Sequence, residues 1–520
     1  MPGPTHAATD PPQSQRRQED TAPQRSNVTR LLCAGVHLDP RFRRAVLDEL
    51  IDNDHRFVAP SYGYDVVTVL EHAVLARRRH HLRSLALLAG LVPLVCTAIT
   101  SALLSLTFLL LTLWWAWLVV FLDELVRRYT LLYELKRHTF TGHVPKHPLE
   151  RDRAEKIRHD QSEPVLYYSG FVPFVGAGKL ERSWSFSTIL KSATGDTPPD
   201  LKAGELYEKL AVQLKETLED RPTEDEETIH NLRVVPQRYS TALRTDRPTS
   251  TPTETGSPPT PPASQYDAPR QYILIAVESW EHELVTSIFI GVDIKNSTLH
   301  TELHSYQLLP IKASFHEVDR LPTTLSIAHL VDIAVRSPFD AMSRLFRATA
   351  DLVRPLLGRG EDTSAGRSKR RGLAAGAGLT SLITVMLTVA NVPALQASAT
   401  AIATLSVGTI AAVARWVTAF RKRNRYPVQE DTRSGISGES GKITDWGARI
   451  SIRDLAASDQ THHFFQDVDQ DKYTKLIERR VMDTIITLLK THKLDVREYR
   501  TRQTAILNLE ITKSGLGRPT

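Results

Sequence analysis

His300, Glu302 and His304 alternate along a stretch that reads as a β-strand, so their side chains share one face and carry the donor types of a metal site. An antiparallel strand also keeps one polar face to water, and no second cluster is forced beside these three. The expectation is a solvated or partner-facing strand with no bound metal. Asp467, Asp469, Asp471 and Glu478 stand at positions 1, 3, 5 and 12 of a calcium loop. Lys472 sits where glycine allows that loop its sharp turn, and a helical rhythm follows from Tyr473, so the acids read as complements to a helix start. Gly176-Ala-Gly178-Lys179 invites a phosphate-loop reading, but Pro173 occupies the place of the first glycine and Leu180 follows the lysine. Gly435 to Lys442 fails in the same way at Ile436 and Ile443. No Ser/His/Asp or Cys/His constellation stands out, so the chain reads as a non-enzyme without cofactor.

The elements that would position these residues fall into two kinds. Residues 84–122 and 372–414 contain no Asp, Glu, Lys, Arg or His and are flanked by basic clusters such as Arg77 to Arg83 and Arg421 to Arg425. A straight helix over either stretch would be about 60 Å long against a hydrocarbon core of about 30 Å, so each reads as a transmembrane hairpin, giving four membrane helices. Basic flanks on every side predict a multi-pass protein of the plasma (inner) membrane with both termini cytoplasmic. The second hairpin is rich in small residues: Gly376 and Gly378 are candidate helix contacts, and Thr380, Thr384 and Thr388 fall on one helix face.

Between the hairpins the chain reads as an α+β cytoplasmic domain with an antiparallel sheet, over residues 164–320. Strands are expected at Tyr272 to Val277, Leu284 to Ile294 and Leu299 to Leu309, and an amphipathic helix over Glu205 to Leu218. The organisation predicted is a disordered N-terminus at 1–30, a juxtamembrane segment at 31–83, a helical extension and linker at 123–163, and a Pro/Thr/Ser-rich disordered insertion at 241–269. Beyond it come an amphipathic segment at 325–371, a basic linker at 415–442 and a C-terminal helical segment at 443–520, whose clearest helix is Tyr473 to Lys490. Phe171, Phe174 and Trp184 are the candidate partner surface.

Much of the excess behind the net charge of +6 over 520 residues sits in the hairpin flanks and reads as attraction to anionic lipid headgroups. Aromatics interleaved with basic residues are lacking, so nucleic acid is not an expected partner. With Cys33 and Cys96 the only cysteines, no disulfide framework is possible.

The stretch Tyr168-Ser-Gly-Phe-Val-Pro-Phe-Val-Gly-Ala-Gly178 and the tail stretches Gly447 to Leu455, His463 to Asp467 and Lys475 to Arg480 resemble a group of multi-pass membrane proteins of actinobacteria. The resemblance implies an architecture and brings no established activity with it. The function expected is a membrane-held docking or signalling platform for a cytoplasmic protein partner, with a large machine such as an injection system among the candidates, in a homo-oligomer. Its rival is an oligomerising effector that permeabilises the membrane in defence or programmed cell death. A membrane-bound enzyme is the weaker alternative.

Overall fold

The computed structural model describes residues 26–98, 102–142, 148–193, 201–219, 229–242, 269–322, 331, 334 and 446–514, with the side chains of 91–110 and of several element ends outside the description. The chain opens with two short helices, α1 (Asn27–Leu38) and α2 (Pro40–Leu47). Ser26 and Asp39 cap them by accepting from the backbone N–H of Thr29 and Arg41. α1 begins inside the stretch expected to be disordered up to residue 30. A paired set follows, α3 (Val66–Ala98) and α4 (Ala102–Tyr133), then α5 (Pro148–Ser162) where a linker was expected.

A six-stranded sheet forms the middle: β1 (Val165–Tyr168), β2 (Lys179–Ile189), β3 (Leu232–Thr241), β4 (Arg270–Ser279), β5 (Leu284–Lys295) and β6 (Thr298–Leu308), in the order β1-β3-β4-β5-β6-β2. β3 pairs antiparallel with β4, and β4, β5, β6 and β2 continue antiparallel, while β1 lies parallel to β3. The sheet is therefore mixed, where an antiparallel one was expected. The parallel pair is invisible locally, because it joins segments separated by α6 (Ala203–Leu214).

Alternation sorts the strands into two faces. On one, Ile273, Ile275, Ile288, Ile290 and Leu303 pack under Leu206, Leu210 and Leu214 of α6 and Ile477, Val481, Ile485 and Leu489 of α9 (Phe464–Thr491), with Tyr499 of α10 (Arg497–Ser514) alongside. On the other, Tyr239, Tyr272, Leu274, Phe289 and Tyr306 surround Phe174. A third core joins α1, α2 and the first half of α3 to Phe315, to Val318 of α7 (Glu317–Arg320), and to Ile452 and Leu455 of α8 (Ile452–Ala456).

The structure corrects the expected membrane architecture. Among the described residues no helix is long and apolar enough to cross a membrane, so the four-span anchor, the multi-pass plasma-membrane location and the cytoplasmic placement of both termini drop out. The charge-free run 84–122 is not a unit of its own, because the helices that contain it run on through charged residues. α3 carries Arg77 to Arg83 in mid-helix, and its first half is buried in the N-terminal core through Val66, Val67, Val69, Leu70 and Ala73. α4 continues through Asp123, Glu124, Arg127 and Arg128. The two helices are tied by Arg83 to Asp123 at 2.7 Å and by Arg79 donating to Thr130 at 2.6 Å. Leu87, Ala116 and Val120 are buried between them, while Leu85, Leu111, Trp114 and Leu122 face outward. The second apolar stretch, 372–414, lies outside the described residues.

Candidate docking surface

The β4–β5 connection places Trp280, Glu281 and His282 in succession at φ of +52°, +58° and +67°. None is glycine, and each left-handed non-glycine residue costs on the order of 1–3 kcal/mol unless its surroundings impose it. Here they do. Arg137 pairs with the Glu281 carboxylate, and Asn27 Nδ2 donates to Glu281 Oε2 at 3.0 Å and to Glu283 Oε1 at 3.2 Å. His282 Nδ1 meets Glu278, which also holds Arg233. His316 Nε2 lies 3.1 Å from Glu283, and the carboxylate raises its pKa above the ordinary histidine value.

This turn props Trp280 against the start of α9. The indole N–H donates to Asp469 Oδ2 at 3.1 Å, and the ring stacks on His463 with centroids 5.8 Å apart and planes 17° off parallel. His463 caps α9 in a reciprocal box with Gln466, whose Oε1 accepts from the His463 N–H at 3.3 Å. The cap fixes the direction of the next two side chains. Phe464 is 75% and Phe465 66% exposed, with Val468 at 42% and Trp280 at 39% beside them. Burying one such ring is worth about 1.5–3 kcal/mol, so this is a concentrated apolar site left in water. Asp467, Asp469 and Asp471 border it in acid.

The residues expected to form the partner surface do not meet. Phe171 is exposed, beside Gly170. Phe174 is 5% exposed and stacks on Phe289 at 4.0 Å, with Tyr239, Tyr272, His304 and Tyr306 around it. Trp184 lies on the opposite face of the sheet, where its indole N–H donates to Glu478. That carboxyl is buried within α9, held also by Arg182 at 2.9 Å, and burial raises its pKa. Gly376, Gly378, Thr380, Thr384 and Thr388 lie outside the described residues.

Asp467, Asp469 and Asp471 sit in the first turns of α9, a helix and not a loop that could wrap a cation. Gly176 and Gly178 make a tight turn at φ of +90° and +91°. A Cβ on Gly178 would stand 2.1 Å from Gln307 O, so no side chain fits there.

His300, Glu302 and His304 do share one face of β6. Ser187 and Ser183 Oγ sit 3.0 and 2.8 Å from Nδ1 of His300 and His304, and Tyr272 donates to Glu302 at 2.7 Å. With His304 beside it and Tyr272 donating, Glu302 lies below the usual carboxylate range. Ser183, His304 and Glu302 approach the order of a nucleophilic relay, but His304 Nε2 stands 3.6 Å from Glu302, too far for a hydrogen bond, and Ser183 lies open on the sheet surface. Among the described residues no group of three His, Cys, Asp or Glu side chains could hold a metal ion.

Sequence reasoning passed over Trp280, Phe464 and Phe465. The available signal was the pair Phe464-Phe465 just ahead of a helix whose core register, set by Ile477, Val481 and Ile485, excludes them. No curated protein and no solved structure matches the chain. The family described as AbeC-like domain matches residues 183–386 and 379–518, which together are more than half of the sequence and include Trp280, Phe464 and Phe465. The chain belongs to the AbeC-like domain family.

Proposed function

We propose that the protein is a non-enzymatic docking module, and that Trp280, Phe464, Phe465 and Val468 seat in an apolar pocket of a protein partner whose rim is basic. The observation that carries this reading is the pair of exposed phenylalanines at a capped helix start, which the left-handed turn braces through Trp280 on His463 and Asp469. Few residues dominate most interfaces, and aromatic anchors are enriched among them. A surface already fixed in its binding geometry loses little freedom on association, which favours affinity. The acidic border selects the partner's charge: Asp467 and Asp469 complement Lys or Arg side chains and repel anionic surfaces, while Asp471 is already paired with Lys475 at 2.6 Å.

Affinity capture with the full-length chain, quantified by mass spectrometry against a Phe464→Ser/Phe465→Ser variant, tests this. Specific partners should be depleted by about tenfold or more, the effect of losing at least one anchor worth about 2 kcal/mol. Asp467→Lys should weaken the same partners, and added salt should do so too. A bound set unchanged by the double substitution, in protein with an unaltered circular dichroism spectrum, rejects the reading.

A further inference from the structure

The two edges of the sheet are finished differently. β1 is covered: Tyr168 bridges Ala448, Ser169 N–H donates to Ala448 O at 2.9 Å, and Ala448 N–H donates to Tyr167 O at 2.8 Å. β2 pairs with β6 along one side, and among the described residues no strand pairs with Ser183 to Ile189 on the other. Native sheets guard such edges with charges, proline, bulges or covering segments, because a free row of N–H and C=O groups is a template for another strand. In β2 those guards stop early. Lys179, Glu181 and Arg182 cluster at its start, and the pairing skips Glu181 between Leu180 and Arg182, which marks a bulge. From Ser183 to Ile189 the strand has no charge and no proline. Ser183, Ser185, Ser187 and Ile189 are exposed, and Trp184 and Phe186 on the other face are only half-buried.

We infer that β2 is the interface between two copies of this chain, which pair edge to edge and antiparallel about a twofold axis at Ser185. The sequence of the strand is self-complementary in that register. Trp184 faces the partner's Phe186, and the same contact is made twice by symmetry, giving two aromatic cross-strand pairs on one face. Ser183 faces the partner's Ser187, and Arg182 faces the partner's Thr188, so no like charges oppose one another across the axis. The bulge at Glu181 limits the pairing to the uncharged part of the strand. Two sheets of six strands then become one continuous sheet, and the free edge disappears.

Cysteine crosslinking of the full-length chain in a Cys96→Ser background tests the register, since Cys33 is fully buried. Ser185→Cys should form a disulfide-linked dimer on mild oxidation. Ser183→Cys and Ser187→Cys should each fail alone and succeed when mixed. Light scattering should give the mass of two chains, which Ser185→Lys should reduce to one by placing like charges on the axis. Phe464→Ser/Phe465→Ser should leave that mass unchanged, which separates this interface from the docking surface. A single-chain mass for the unsubstituted protein, or Ser185→Cys crosslinking no faster than Ser183→Cys alone, overturns the inference.

Discussion

On one face of the sheet Ile273, Ile275, Ile288 and Ile290 meet Leu210, Ile485 and Leu489 from two helices, while on the other Phe174 enters from a turn and is ringed by Tyr239, Tyr272, Phe289 and Tyr306. The helical cover spreads its contact over many aliphatic side chains at regular spacing. The aromatic cover centres on one ring, with Tyr62 and Ala177 beside it, and on what fixes its turn: Gly176 at φ +90° gives its N–H to the buried carboxylate of Asp454, and Gly178 presses against the backbone of Gln307. Redundancy distinguishes the two. A face covered by regular helices can adjust around a lost side chain, whereas the turn that covers the other face has only the small Ala177 beside Phe174 to close a gap.

The largest expected effect follows from that contrast. Phe174→Ala should cost about 3–5 kcal/mol, and Leu210→Ala on the helical face should fall toward the lower end of about 2–5 kcal/mol, because its neighbours Leu206 and Leu214 remain to partly fill the space. Chemical denaturation of the two variants at equal pH measures both. Equal losses would show that the aromatic face tolerates truncation as well as the helical one does.

The anchor of the turn gives the next effect and a pH signature. Burial pushes Asp454 up from an ordinary 3.8 to about 6, partly opposed by Arg453 and by the Gly176 N–H. Below about pH 4 the group is protonated in both the folded and unfolded states and costs nothing. Between about pH 4 and 6 the folded state holds a proton that the unfolded state releases, so stability falls as pH rises through this window. Above pH 6 the full penalty applies, on the order of 3 kcal/mol at 1.36 kcal/mol per unit. Asp454→Asn keeps an acceptor for Gly176 while removing the charge. It should flatten stability between pH 4 and 6 and raise it at pH 7, and an unchanged slope in urea unfolding would assign the pH dependence elsewhere.

The same contrast explains what could be read in the sequence. The helical face was legible: Leu206, Leu210, Leu214 and Leu218 recur every four residues, and β4, β5 and β6 carry apolar runs with a turn at Asn296-Ser297. The observed α9 and those strands overlap their expected spans, with α9 starting nine residues earlier than the Tyr473 expected. Strand β3 was missed because Arg233, Pro236, Gln237 and Arg238 break its apolar pattern, and only its pairing with β4 makes it a strand. The cover of the aromatic face was not legible, since no periodicity tells that Phe174 turns inward while Phe171, three residues away, turns out. The docking surface failed to show for a related reason. Trp280 and Phe464 are distant in sequence, and what joins them is a left-handed turn that no propensity favours.

The smallest effects belong to the polar part of the aromatic face, and they test whether that part contributes to the fold at all. Tyr272 donates to Glu302, a carboxylate held below its usual range, so Tyr272→Phe should cost about 1.5 kcal/mol at neutral pH through loss of a hydrogen bond to a charged acceptor. Because the pKa of Glu302 is lowered in the folded state, its contribution is present above the unfolded value and is lost as pH falls through the folded one, and the Tyr272→Phe difference should shrink with it. Ser187 meets His300 at 3.0 Å but is itself exposed, so water replaces the hydroxyl and Ser187→Ala should change stability by no more than about 0.5 kcal/mol. Thermal or chemical unfolding of the two variants at neutral and acidic pH separates these cases. A loss above about 1 kcal/mol at Ser187 would mean that the serine and histidine rows brace β2 against β6. The small loss expected would instead leave pairing of the two backbones to hold β2, with its serine row available for contact with a second copy.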